Sequence, residues 1–140
     1  MDVVYTARFR PDEYVTGERL SYWSDALGRR AGEDDVVTDE VPEDWFSDDE
    51  LAVRLFRNIR GYEFALYAYR GYWPTPAGMD PMTMDATSPR LSVYGASVRG
   101  PVFKGIGNVE VGYYDSRDDR SGDDPLVRNS EFRLLVGYEQ

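Results

Sequence analysis

Alternation of apolar and polar residues with a period of two is the dominant pattern along the chain, and the spacing of an amphipathic helix is weak nearly everywhere. Because successive side chains of a β-strand point to opposite faces, this pattern predicts strands with one apolar and one polar face. The predicted strands span 3–10, 19–27, 51–59, 62–72, 90–98, 106–114 and 131–139.

The connections between these strands alternate in length. The short ones span 11–18, 60–61 and 99–105. The long ones, which are rich in Pro, Gly and Asp, span 28–50, 73–89 and 115–130. In an up-and-down antiparallel meander, this alternation places all the long connections at one end of the sheet, as in membrane barrels, whose strands need about 9–11 residues. We therefore expect one all-β unit over residues 1–140, a meander of about seven strands that is part of a transmembrane β-barrel.

The parity of the positions within each strand sorts the side chains onto two faces. On the apolar face, which would contact lipid, we expect Tyr62, Phe64, Leu66, Val109, Val111, Phe132, Leu134 and Val136. On the polar face, which would line an aqueous lumen, we expect Arg8, Arg19, Asp25, Arg54, Glu63, Tyr67, Glu110 and Arg133. Aromatic residues tend to lie near the strand ends of the apolar face, as in the aromatic girdles of membrane barrels. The lumen arginines either select anionic solutes or pair with carboxylates of neighbouring strands and hold the wall together.

Composition excludes several classes of function. The net charge is −10 with a pI near 4.4, and residues 28–50 hold ten Asp and Glu against two Arg. A nucleic-acid-binding protein normally carries a basic face, so this class is disfavoured. The chain contains no Cys and no His, which removes thiol chemistry and the Ser-His and Cys-His nucleophile systems. No spacing marks a pair of catalytic carboxylates, so we expect no catalytic residues and no enzymatic activity.

Three segments carry a resemblance to a known group of proteins. They are "GYEFALYAYRGYW", "GIGNVEVGYYDSRDD" and "SEFRLLVGYE", and they resemble the strands of the Gram-negative outer-membrane β-barrels of the porin-like and exporter-like kind. The resemblance implies a place in the bacterial outer membrane, contact with membrane lipid and lipopolysaccharide, and a polar lumen that passes a hydrophilic solute through a pore or export channel. Strand patterns of this kind are weak per segment, so the resemblance assigns an architecture and leaves the solute open.

Members of that group usually begin with a signal peptide, end on an aromatic residue and have an even number of strands. This chain opens "MDVVYTARF", ends "GYEQ" and has seven predicted strands. We therefore expect a piece of a larger barrel, completed by the remaining strands of a parent protein or by other copies. The alternative stays open that the chain is a soluble or surface-exposed β-barrel or sandwich that serves as a binding or structural module, because a sandwich also has one apolar and one polar face.

The acidic stretch "DSRDDRSGDD" is the candidate for metal chemistry. Carboxylate oxygens are the ligands that Ca²⁺ prefers, and the candidates are Asp115, Asp118, Asp119, Asp123 and Asp124. The spacing of an EF-hand is absent, and Arg117 and Arg120 interrupt the run. The competing interpretation is a solvated loop whose charges pair with one another. Calcium is the only cofactor that the sequence suggests.

Overall fold

The computed structural model describes residues 1–12, 21, 23–24, 28–32, 39–83 and 85–140. All regular elements of this part of the chain are β-strands, and no helix occurs in it. The strands are β1 (Asp2–Thr6), β2 (Trp23–Ser24), β3 (Arg29–Arg30), β4 (Asp39–Glu40), β5 (Glu50–Ile59), β6 (Tyr62–Tyr72), β7 (Gly78–Met79), β8 (Ala86–Thr87), β9 (Arg90–Val102), β10 (Gly105–Ser116) and β11 (Glu131–Glu139).

Six of these strands form one antiparallel sheet in the order β1-β5-β6-β9-β10-β11. Every neighbouring pair in this sheet is antiparallel, and the five long strands follow one another in space as they do along the chain. The remaining short strands form a two-stranded sheet of β2 and β3 and a three-stranded sheet in the order β4-β8-β7. The prediction of an all-β antiparallel meander is confirmed, with a sheet of six strands in place of seven.

The long strands are where the alternating pattern places them. The predictions at 62–72 and 131–139 match β6 and β11 to the residue, while β5, β9 and β10 extend by one to four residues beyond the predicted ends. Strand one was predicted at 3–10, yet β1 ends at Thr6 because the chain then turns to pack against the loop that precedes β5. β1 pairs directly with β5 over Asp2–Thr6, so no strand lies between them.

The predicted strand at 19–27 lies mostly outside the described residues. Its described part, Trp23–Ser24, pairs with Arg29–Arg30 in the separate two-stranded sheet. The predicted short connection 11–18 also lies largely outside the described residues.

The two ends of the sheet differ, as the alternating loop lengths predict. Thr6 lies opposite Glu50, Tyr72 lies opposite Arg90, and Tyr114 lies opposite Glu131, so the segments 7–49, 73–89 and 117–130 all begin and finish at one end. We call this the loop end. The opposite, turn end carries only two tight turns, 60–61 and 103–104.

Backbone conformation explains the first of these turns. Arg60 and Gly61 both have positive φ, at 52° and 87°. Two consecutive residues of this kind form a type I′ turn, whose twist matches that of the flanking antiparallel strands. Glycine at the second position adopts such a φ without steric cost, which is why "RG" can close the hairpin of β5 and β6.

The loop end contains most of the buried apolar side chains of the described residues. Phe9, Trp73 and Leu91 are each less than 5% exposed, and Phe9 packs on Tyr72 with 4.9 Å between ring centroids. Backbone hydrogen bonds tie the segments together: Phe9 N–H donates to Asp48 O, and Trp73 N–H donates to Pro89 O. The long connections are therefore packed against one another and against the ends of the strands.

Candidate functional site

The apolar face of the sheet is a continuous set of cross-strand rows. Because paired residues of neighbouring antiparallel strands point to the same side, the register assigns each row to a face. The central row of this face is entirely aliphatic and consists of Leu55, Leu66, Ala96, Val111 and Leu134. The next row towards the turn end consists of Arg57, Phe64, Val98, Val109 and Val136.

Aromatic residues lie on both sides of these two rows. Towards the loop end, Tyr94, Tyr113 and Phe132 occupy one row. Towards the turn end, Tyr62 pairs with Ile59 and Tyr138 pairs with Gly107. Four rows two residues apart span roughly 20 Å at about 3.4 Å per residue, close to the ~25 Å apolar band of outer-membrane barrels.

All eight residues predicted to contact lipid share this face. Their exposed fractions run from 36% for Tyr62 to 70% for Val136. The sheet thus presents an apolar surface on which large side chains such as Leu66 and Phe132 remain more than half exposed. Contiguous apolar patches of this extent on a protein surface mark sites of interaction with lipid or with another protein.

The opposite face is polar and is organised by charge pairs. Arg54 on β5 forms an ion pair with Glu63 on β6, with 2.6 Å between Nη2 and Oε1, and its guanidinium also lies 3.7 Å from the carboxylate of Asp2. The same guanidinium stacks on the ring of Phe56 at 4.5 Å. These contacts therefore hold the arginine against the polar face of the sheet, and they are of the kind that the pairing interpretation describes.

A shallow depression lies in the middle of this polar face. Gly95 and Gly112 are directly paired on β9 and β10, and neither contributes a side chain. Tyr67 leans over Gly95, where an added Cβ would lie 3.6 Å from its ring, and its hydroxyl lies 3.0 Å from Ser97 Oγ. The depression has a volume of about 790 Å³, and Glu110 and Arg133 are among its lining residues. The paired glycines thus open space beside tyrosine, carboxylate and guanidinium groups.

A stack of rings and guanidinium groups connects this face to the loop end. Trp73 stacks on Tyr114 with 5.8 Å between ring centroids, Arg128 lies over the indole at 4.4 Å, and Arg133 lies over the phenol at 4.0 Å. Glu131 accepts hydrogen bonds from both arginines. These hydrogen bonds hold the pKa of Glu131 below its usual value against the opposing effect of burial, so the carboxylate stays charged between the two cations.

Five of the eight predicted lumen residues share the polar face, namely Arg54, Glu63, Tyr67, Glu110 and Arg133. Arg8 does not lie on the sheet, because β1 ends at Thr6, and it pairs instead with Glu43 at 2.8 Å. Arg19 and Asp25 lie outside the described residues.

The loop carboxylates are engaged in hydrogen bonds and ion pairs. Asp118 accepts hydrogen bonds from the backbone N–H and the guanidinium of Arg90, and Asp115 lies 3.2 Å from a guanidinium nitrogen of Arg120. Asp124 accepts a hydrogen bond from the backbone N–H of Leu126. Asp123 donates a backbone N–H to the buried carboxylate of Asp119.

Asp119 organises its own loop. Its two carboxylate oxygens accept the backbone N–H groups of Gly122, Asp123 and Asp124 and the hydroxyl of Ser121. These hydrogen bonds, led by that from Asp124, hold the pKa of Asp119 below its usual value. Within the described ranges, no group of three or more acidic side chains could hold a metal ion. The calcium prediction therefore has no supporting geometry in this loop.

Sequence reasoning missed two pairs of tyrosine and carboxylate at the loop end. The hydroxyl of Tyr69 donates to Glu50, and that of Tyr72 donates to Asp48 at 2.7 Å. Burial, with the adjacent carboxylate, raises the pKa of Tyr69 strongly and that of Tyr72 to about 12. The partners are 19 and 24 residues apart, so no local pattern could have revealed them.

Comparisons with models of protein families, with curated proteins and with solved structures find no match for this chain. None of the described residues belongs to a helix long and apolar enough to cross a membrane.

Proposed function

We propose that this chain is a segment of an outer-membrane β-barrel and forms part of the wall of a pore or export channel for hydrophilic solutes. The observation that carries the proposal is the exposed apolar face, in which aliphatic rows around Leu66 and Leu134 lie between aromatic residues at both ends. Lipid would cover this face, while the polar face would line the lumen.

Two further features support the same function. Segregation of the long connections at one end and tight turns at the other is the arrangement of outer-membrane barrels. The polar face also has the character of a solvated wall, because its ion pair between Arg54 and Glu63 is only partly buried and the depression beside Tyr67 stays open to water.

Vesicle experiments test the proposal directly. The purified chain should float with liposomes of outer-membrane lipid and release a trapped small sugar. Replacement of Leu66 by Arg, at the middle of the apolar face, should reduce flotation, since a lipid-facing arginine at the bilayer centre costs about 2–4 kcal/mol. Tyr67→Arg is the matched control. Tyr67 follows Leu66 in the same strand but points to the polar face, so this variant should leave flotation unchanged.

A second candidate function follows from the same exposed face. Two copies could stack their apolar faces about 10 Å apart and form a soluble sandwich that acts as a binding or structural module. The packed loop end, with Phe9 and Trp73 buried, favours this candidate, since it is an ordered surface outside the sheet. A monodisperse dimer in aqueous buffer that does not float with liposomes would support the module and contradict the membrane proposal.

A further inference from the structure

The two edges of the six-stranded sheet are unpaired in the described part of the chain. β1 pairs only with β5, and β11 pairs only with β10. An unpaired edge presents a row of backbone N–H and C=O groups that another strand can bind.

β11 lacks the features that normally protect such an edge. Its nine residues pair with β10 in unbroken register from Glu131 to Glu139, without a bulge or a proline. Natural edge strands are blunted by bulges, by proline or by charged side chains. Of its three charged residues, Glu131 and Glu139 lie at the two ends, and Arg133 is neutralised by an ion pair with Glu131 of the same strand.

Both edge strands also carry an exposed apolar side chain on each of their two faces. On β11, Leu134 lies on the apolar face and Leu135 on the polar face, and both are more than half exposed. On β1, Val3, Val4 and Tyr5 are consecutive and each is more than half exposed. Strands that are apolar on both sides are typical of the interior of a sheet, where neighbours and packed layers surround them.

The strand count makes the two edges compatible with each other. Because the sheet has six antiparallel strands, β1 and β11 run in opposite directions. Copies related by rotation around an axis can therefore place β11 of one copy beside β1 of the next in antiparallel orientation, which continues the pattern of the sheet.

The side chains of the edges match as well. Asp2 and Arg133 are the outer members of one row of the polar face, the row that runs through Arg54, Tyr67, Gly95 and Gly112. Val3 and Phe132 are the outer members of a neighbouring row on the apolar face. A pairing that keeps apolar with apolar therefore also brings opposite charges to the joint.

We propose that copies of this chain join edge to edge, with β11 of one copy antiparallel to β1 of the next, and close the sheet into a ring. The partner is a second copy of the same chain, and the contact is made by backbone hydrogen bonds. The inference rests on the edges alone. If the chain lines a pore, the copies would supply the strands that complete its wall.

Cysteine cross-linking tests the joint cleanly, because the chain contains no cysteine of its own. The variant with both Val3→Cys and Phe132→Cys places one thiol on each edge in the same row of the apolar face, and a short bismaleimide reagent tolerates neighbouring registers. We expect a ladder of cross-linked dimers and larger species on a denaturing gel. The single variants Val3→Cys and Phe132→Cys should remain monomers on that gel.

Other outcomes would overturn the proposal. A cross-linked dimer from Phe132→Cys alone would show that β11 contacts β11 of the other copy. A dimer from Leu66→Cys, with only monomer from the double variant, would show that the apolar faces stack instead. Native mass spectrometry of the unsubstituted chain requires no cysteine, and a monomer in both aqueous buffer and detergent would also overturn the edge joint.

The same preparations separate this inference from the proposed pore. Cross-linked ladders without liposome flotation would leave the edge joint standing and remove the membrane function. If every cross-linking variant gives only monomer while the chain still floats and releases sugar, the membrane function stands and the edge joint is overturned.

Discussion

At the loop end of the molecule Phe9, Trp73 and Leu91 are almost fully buried, whereas on the apolar face of the sheet Leu66 and Val136 leave more than half of their surface exposed. Both regions contain large apolar side chains, but their surroundings differ. At the loop end, three long connections pack together over the strand ends. The sheet is a single layer, and in the described residues no second layer covers either face.

This difference shows that apolar side chains are buried in this protein where the long connections cover them. A sheet hides its apolar face only when another layer covers it. The loops that leave the long strands return at one end, so they build a core there and leave the faces free. The exposed rows of the sheet therefore need lipid or protein from outside the described chain, while the loop end stabilises itself.

Replacement of a large apolar side chain by alanine should change the free energy of unfolding very differently in the two regions. Trp73→Ala at the loop end should destabilise the protein by about 3–5 kcal/mol, because it removes a buried indole and leaves a cavity. Leu66→Ala on the sheet should cost roughly 0.5 kcal/mol in aqueous buffer, because most of that side chain is exposed. Urea unfolding measures both. A large loss for Leu66→Ala would show that the apolar face is packed against protein in solution.

Loss of the Asp119 carboxylate should have the next largest effect. Asp119→Asn weakens four hydrogen bonds that shape the loop, whereas Asp123→Asn changes an exposed side chain. Because the folded-state pKa of Asp119 lies below its usual value, its contribution is present above pH ~3.9 and is lost as the pH falls through the folded-state pKa. Acid unfolding curves of the two variants should therefore differ. Equal curves would mean that the loop does not depend on this carboxylate.

Removal of the Tyr72 hydroxyl should cost less, about 1 kcal/mol, since it breaks one buried hydrogen bond to Asp48. Burial and Asp48 raise the pKa of Tyr72 to about 12 in the folded state. Its contribution is therefore complete below the unfolded-state pKa of ~10 and is lost as the pH rises through about 12. Tyr72→Phe should therefore show a smaller alkaline decline in stability than the unsubstituted protein. Indistinguishable alkaline titrations would contradict this assignment.

The smallest effect is expected at an exposed ion pair. Arg8→Gln breaks the contact with Glu43 at the loop end, where both side chains are at least a third exposed. Such pairs are worth about 0.2–1 kcal/mol and are screened by salt. Thermal melts in low and high salt should show a small loss that salt removes. A loss that persists in high salt would indicate that the stem of Arg8 contributes through packing.

The positions of the long strands were predictable because most of them are runs of alternating apolar and polar residues between turn-forming segments, although 90–98 is apolar on both parities. β6 and β11 are cases in which propensity, period and turn residues all agree. The predicted lipid-facing set also shares one face, because parity within a strand decides the side of each residue once the strand is formed. The identity of whatever covers that face was not predictable, because alternation is the same in a sandwich and in a membrane wall.

The positions and contacts of the candidate site residues were less predictable than the strands. In the sequence, Arg8 continues the alternating pattern of β1. In the structure, Phe9 N–H donates a hydrogen bond to Asp48 O, and this segment no longer pairs with the sheet. The acidic run around Asp119 suggested calcium ligands, yet the backbone of the same loop supplies the hydrogen-bond donors. For Arg8 the deciding contact comes from a distant segment, whereas the donors to Asp119 lie within five residues of it and depend on how the loop folds; calcium binding stays a prediction.

The sequence by itself determined the class of the fold, the long strands, the two-residue turn at 60–61, and the separation of loops from turns, because these depend on local periodicity and backbone preference. Only the tertiary structure decided that β1 pairs directly with β5, that Trp73 contacts both Arg128 and Tyr114, and that β1 and β11 are the unpaired edges of the sheet among the described residues. Those features depend on contacts between distant segments, whose free energy is set by burial and geometry after the chain has folded.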